Sequence, residues 1–184
     1  MVMKICIALA GILTAGLAAA QGGFNGPGRY EITNERNGKA LALDPRDQTT
    51  VAQVSPRGDD TQQWLLEPGP NGGFFIRSAL DGRALTITQN ARSTPVVCRR
   101  LDRASGQQWR IDAASADGKA VIVSLAGGRV IDIPNGSSQE GLRIQIYDRN
   151  GDPNQRFIFR RIDEPGDRER ERRNRWDHWE QEHH

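Results

Sequence analysis

Histidine is missing from the first 177 positions of this 184-residue chain, and cysteine occurs only as Cys6 and Cys98. Without a histidine in the body, Ser–His and Cys–His nucleophile chemistry is excluded, together with most histidine-based metal sites. Cys6 lies in a stretch that reads as a secretory signal, so one thiol is left after cleavage and no internal disulfide can form. The fold must therefore rest on its core. Cys98 is expected as a buried free thiol, with a bridge to a partner chain as the alternative. Long apolar runs are also lacking beyond residue 20, which argues against a membrane-spanning protein. Nor does any segment of the body hold a 3.6-residue hydrophobic period. No cofactor is implied, since Gly72-Gly73 and Gly127-Gly128 have no phosphate-loop context and read as turns.

The chain divides into three parts. Lys4, the apolar run Ile5 to Leu17 and Ala18-Ala19-Ala20 before Gln21 form the pattern of a signal peptide over residues 1–20. Secretion, to the extracellular space or a periplasm, is the expectation. Residues 21–162 are enough for one self-sufficient core. Residues 163–184 contain five Arg against eight Asp and Glu and read as a charged, disordered tail. Of 25 Lys and Arg, those five lie in the tail and one is Lys4; of 23 Asp and Glu, eight lie in the tail. The body is thus left four charges positive, almost all from arginine, too mild an excess to argue for nucleic acid.

What is present is repetition. Gln62-Gln63-Trp64, Gln107-Gln108-Trp109 and Gln155-Arg156-Phe157 place an aromatic after a glutamine at intervals of 45 and 48 positions. Gly38-Lys39-Ala40-Leu41, Gly82-Arg83-Ala84-Leu85 and Gly128-Arg129-Val130-Ile131 keep the same beat, 44 and 46 apart. Such self-similarity marks one supersecondary unit stacked on itself. Within each unit four short β-like runs alternate with Asn-Gly, Asp-Gly or Gly-Gly turns. Four runs in three units give twelve strands, an all-β chain that closes into a barrel.

These motifs resemble the ricin B-type lectin family, a β-trefoil with one Gln-x-Trp motif per repeat, over about Gly28 to Ile162. The resemblance implies an aromatic in the shared core at each motif, with the glutamine bracing the adjoining loop. Phe157 in place of Trp keeps most of the apolar volume and drops the indole N–H. The resemblance also implies a shallow sugar pocket wherever a repeat keeps an Asp, a stacking aromatic, an assisting Gln and an Asn-Gln pair. The third repeat fills every position, with Asp132, Gln145, Tyr147, Asn154 and Gln155. The first holds Ala42, Ala52, Val54, Thr61 and Gln62, and the second Thr86, Val97, Arg99, Gly106 and Gln107. A non-catalytic lectin with one competent pocket is thus expected, with galactose- or xylose-type glycans as partners.

Other features stay open. Arg92, Arg99, Arg100, Arg103 and Arg110 crowd the second repeat. They read either as an anion site or, with Asp102 and Asp112 among them, as an internally paired solvated face; the second is the expectation. A protein partner docking on that repeat, or on Trp176 and Trp179 of the tail, is the rival to sugar binding. A glycosidase pair of Asp132 and Asp148 is disfavoured, because Asp148 follows Tyr147 and should face the other way.

Overall fold

Three turns set the frame. Gly38, Gly82 and Gly128 have φ of 69°, 73° and 78°, the left-handed region that a glycine enters without a Cβ penalty. Each donates its N–H, at 2.8 Å, to the carbonyl of Asn34, Ser78 or Ser124, closing a hairpin at the same place in every repeat. The computed structural model describes residues 23–162. The stretches read as a signal peptide and as a charged tail lie outside the described residues.

The first lobe contains β1 (Gly28–Asn34), β2 (Ala40–Leu43), β3 (Val51–Val54) and β4 (Gln63–Pro68). The second contains β5 (Phe74–Ser78), β6 (Ala84–Thr86), β7 (Thr94–Pro95), β8 (Val97–Arg99) and β9 (Trp109–Ala113). The third contains β10 (Ala120–Ser124), β11 (Val130–Asp132), β12 (Leu142–Arg143), β13 (Gln145–Tyr147) and β14 (Phe157–Arg161). All pairings are antiparallel. β1, β4, β5, β9, β10 and β14 pair in that order and β14 returns to β1, so six strands close a barrel without a free edge. The hairpins β2–β3, β6–β8 and β11–β13 cap one end. This is the expected trefoil architecture.

Fourteen strands appear among the described residues where twelve are expected, and the surplus has a local cause. Val96 interrupts the run β7–β8, and Ile144 the run β12–β13. Both belong to a ring at the meeting point of the three lobes. Val51 N–H donates to Val96 C=O at 3.0 Å, Val96 N–H to Ile144 C=O at 3.1 Å, and Ile144 N–H to Val51 C=O at 3.0 Å. These residues stand at equivalent positions of the three repeats, and each turns its backbone to the next lobe instead of its hairpin partner. All three are buried, so the ring also satisfies polar groups that water could not reach.

Trp64, Trp109 and Phe157 are at most 1 % exposed, in one continuous core with Tyr30, Ile32, Ile122 and Phe159. The two indoles donate to Leu41 and Leu85 carbonyls, each at 2.9 Å. The motif glutamines span their loops. Gln62 Oε1 accepts from the Arg57 and Gly58 N–H groups while its Nε2 donates to Ser55 C=O. Gln107 does the same for Asp102, Arg103 and Arg100. Cys98 is buried, and desolvation pushes its thiol up to about 12, which makes it a poor nucleophile at neutral pH. Among the described residues no helix is long and apolar enough to cross a membrane.

Candidate functional site

The third-lobe hairpin arranges its side chains by register. Asp132 lies opposite Gln145 and Val130 opposite Tyr147, with Ile131 opposite Ile146 between them. Strand alternation sends Ile131 and Ile146 to the core, where both are fully buried, and leaves Asp132, Gln145 and Tyr147 on the other face. The tight turn Pro153–Gln155 then brings the Asn-Gln pair up to the end of β11.

Asp132 is 4 % exposed, and its carboxylate is held by three amides. Asn154 Nδ2 donates to Oδ1 at 2.8 Å, Gln155 Nε2 to Oδ1 at 3.0 Å, and Gln145 Nε2 to Oδ2 at 2.8 Å. Asn154 also donates to Ile133 C=O at 3.0 Å. Gln155 donates to Asp148 C=O at 3.0 Å and accepts from Asn150 N–H at 2.9 Å. A carboxylate fixed in this way keeps lone pairs for further donors without having to find its orientation.

Asp132 is one wall of a cleft of about 490 Å³, lined also by Gln145, Tyr147, Asn150, Asp152, Asn154 and the Pro134–Gly136 turn. Four of the five residues singled out in the sequence meet there. Gln155 does not line it; at 1 % exposure it stands behind the carboxylate as a brace. Arg36 of the first lobe and Ser93 of the second complete the lining, and neither they nor Asp152 were picked out from the sequence. Comparing repeats finds residues that one lobe supplies to itself, so side chains reaching in from neighbouring lobes leave no such signal.

The other two lobes are filled differently. Ala42, Ala52 and Val54 are buried apolar groups where the third lobe has Asp132, Gln145 and Tyr147. In the second lobe Thr86 Oγ1 accepts from Gln107 Nε2 at 3.2 Å and donates to Ala84 C=O at 2.7 Å. A Cβ at Gly106 would come within 2.4 Å of Ile87 C=O, so no side chain fits the place taken by Asn154 without backbone movement.

The arginines of the second lobe divide. Arg110 pairs with Asp112, which also receives Arg149, and Arg92 pairs with Asp148. Arg99, Arg100 and Arg103 have no ion pair among the described residues, and Arg103 instead lies over the Phe75 ring at 5.8 Å. The expected pairing within the face thus holds for Arg110 alone, since Arg92 pairs across to the third lobe. Asp102 is not the missing partner, since its carboxylate accepts from Ala104 N–H in a tight turn. Asp148 lies outside the cleft, its carboxyl held below the ordinary range chiefly by the Arg92 hydrogen bond.

With this geometry in place, the sequence matches the family described as Ricin-type beta-trefoil lectin domain-like over residues 20–98 and 105–169. The chain belongs to that family. Solved structures agree on the fold. A designed threefold-symmetric protein, ThreeFoil, is 25% identical with a TM-score of 0.69, over 73% of this chain and 99% of its own. The ricin B-like lectin of Macrolepiota procera, solved in complex with lactose, is 21% identical with a TM-score of 0.67, over 76% of this chain and 99% of its own. An exo-beta-1,3-galactanase from Clostridium thermocellum is 25% identical with a TM-score of 0.68, over 73% of this chain but 30% of its own. No curated protein matches the sequence. For a chain of this ricin-type family, the lectin fold and its lectin neighbours point to carbohydrate binding.

Proposed function

We propose that this is a secreted, non-enzymatic carbohydrate-binding protein whose one competent sugar pocket is the third-lobe cleft. The observation that carries the reading is the Asp132 carboxylate, buried at the cleft wall, fixed by three amide donors and next to a half-buried Tyr147 ring. A pyranose has an apolar C–H face that packs on an aromatic plate, and vicinal hydroxyls that can both donate to one carboxylate. Tyr147 is the plate, Asp132 the acceptor, and Gln145 and Asn154 set the hydroxyl geometry. Affinity at one shallow pocket is on the order of millimolar, about 4 kcal/mol, so useful avidity comes from multivalent display. The N-terminal sequence pattern supports export.

A glycan-array screen of the chain beside Asp132→Ala tests the reading. Binding lost in the variant supports it, whereas binding that survives places the site elsewhere. Galactose-type and xylose-type sugars are the first candidates, and lactose is a natural probe because the similar M. procera structure holds it. A second reading, docking of an acidic protein partner, is favoured by one observation: Arg99, Arg100 and Arg103 are exposed and free of ion pairs among the described residues.

A further inference from the structure

The second lobe has no pocket residues of its own, yet its loop is built into the third-lobe cleft. Ser93 N–H donates to Ile146 C=O at 3.0 Å, and Thr94 and Pro95 pair with Ile146 and Gln145. Ser93 has φ of 61°, a left-handed conformation uncommon for a non-glycine residue, held here by those strand contacts. At the other end of the loop Arg129 Nη1 donates to Asn90 C=O at 2.8 Å and to its Oδ1 at 3.0 Å. Between these anchors Arg92 crosses to the binding strand. Its Nε donates to Asp148 Oδ2 at 2.6 Å, and its guanidinium carbon lies 5.7 Å from the Tyr147 ring centroid. Arg129 Nε approaches the other Asp148 oxygen at 3.0 Å, which fixes the carboxylate that fixes Arg92. Tyr147 lines the cleft and Arg92 is not among the lining residues.

We propose that Arg92 is a positioning residue for sugar stacking: pinned by Asp148, it holds the Tyr147 ring so that the free face fronts the cleft. This rests on the third-lobe reading for its purpose, but not for its geometry. A cation over a ring within about 6 Å is attracted to the ring face. A tyrosine at a cleft edge would otherwise sample its rotamers, and ordering it only on binding would weaken the complex. The second lobe, in this account, has given up a pocket and acts as the back wall of its neighbour's.

The chain contains two tyrosines, Tyr30 and Tyr147, so tyrosine-ring isotope labelling gives an NMR spectrum with one resonance set for each. The full chain is compared with Arg92→Ala, Arg92→Lys and Asp148→Asn, first free and then titrated with lactose. In the free protein, Arg92→Ala and Asp148→Asn are expected to shift the Tyr147 ring signals and leave Tyr30 in place, with Arg92→Lys partly restoring them. Tyr30 is buried against Phe24 and Phe159 and reports on the fold. Lactose affinity is expected to fall about two- to fivefold in Arg92→Ala, the range of an exposed cation–π contact. Tyr147 signals unmoved by Arg92→Ala, or unchanged affinity in that variant, overturn the proposal. If lactose leaves even the unmodified chain unperturbed, its occupancy of the third-lobe pocket fails, and the free-protein spectra still decide on the clamp.

Discussion

Replacing Asp132 by Asn separates the pocket from the fold. The asparagine has the same shape, and its Oδ1 can still accept from Asn154 and Gln155, as Asp132 Oδ1 does at 2.8 and 3.0 Å. Its new NH2 group would face Gln145 Nε2, now 2.8 Å from Oδ2, and a rotated Gln145 amide offers its oxygen instead. Three charge-assisted hydrogen bonds become neutral ones and none is left unmade. The loss of about 1–1.5 kcal/mol at each of three bonds is partly offset because the asparagine no longer buries a charge, so the net stability loss should be about 1–2 kcal/mol, or about 3–8 °C in Tm for a body of this size. Sugar binding suffers more in relative terms. Two hydroxyls donating to a carboxylate contribute about 1.5–3 kcal/mol each, against about 0.5–1.5 to a neutral amide. The difference, about 2–3 kcal/mol, lowers affinity by roughly thirty- to a hundredfold, and takes a millimolar site beyond ordinary detection. Thermal melts and lactose titration of the same preparations give both numbers. An Asp132→Asn protein that is folded and binds sugar as tightly as the parent would refute the role given to the carboxylate.

Three further outcomes follow from the packing. Trp109→Phe removes the indole donor from the buried Leu85 carbonyl and leaves space beside it; urea unfolding should show a loss of about 2–4 kcal/mol, and an unchanged midpoint would contradict it. Acid should loosen the contacts around the first lobe. Asp47 is lowered to about 2, mainly by the Thr50 and Thr49 backbone N–H groups, and Glu140 to about 2, mainly by Lys39 and then the Ser55 N–H. Because these folded values lie below the ordinary 3.8 and 4.5, the stabilisation is full above about pH 4.5 and is lost as pH falls toward 2. Melting temperature should decline over that window and less steeply in Glu140→Gln; an identical slope in the variant would show that Glu140 contributes nothing. Finally, the buried Cys98 thiol should resist maleimide in the native chain and react after urea denaturation, measured by mass spectrometry, whereas prompt native labelling would mean that its surroundings open readily.

Repetition is what made this fold readable. Glycines that must take positive φ and aromatics that must fill a shared core recur because each lobe meets the same local demand, and Gly38, Gly82 and Gly128 show it with nearly equal angles. The set Asp132, Gln145 and Tyr147 was picked out through the resemblance to the ricin B-type family, and the hairpin register places the three on one face. Whatever depends on how the lobes meet was not readable. The backbone ring of Val51, Val96 and Ile144 takes the first residue out of two expected runs, and the short strands β7 and β12 lie before those runs. Arg36 and Ser93 enter the cleft from lobes that contribute nothing else to it. The pairing of Arg92 with Asp148, 56 positions away, could not be told from a pairing with a nearer acid such as Asp102.

Whether a sugar sits in the third lobe on Tyr147 and Asp132 is decided by a crystal structure of the chain soaked with the sugar selected by the glycan array. A pyranose face is expected against the Tyr147 ring, with two hydroxyls on the Asp132 carboxylate and the first and second lobes bare at Ala42 and Thr86. Sugar density at either of those lobes, with the third-lobe cleft empty, would contradict that placement.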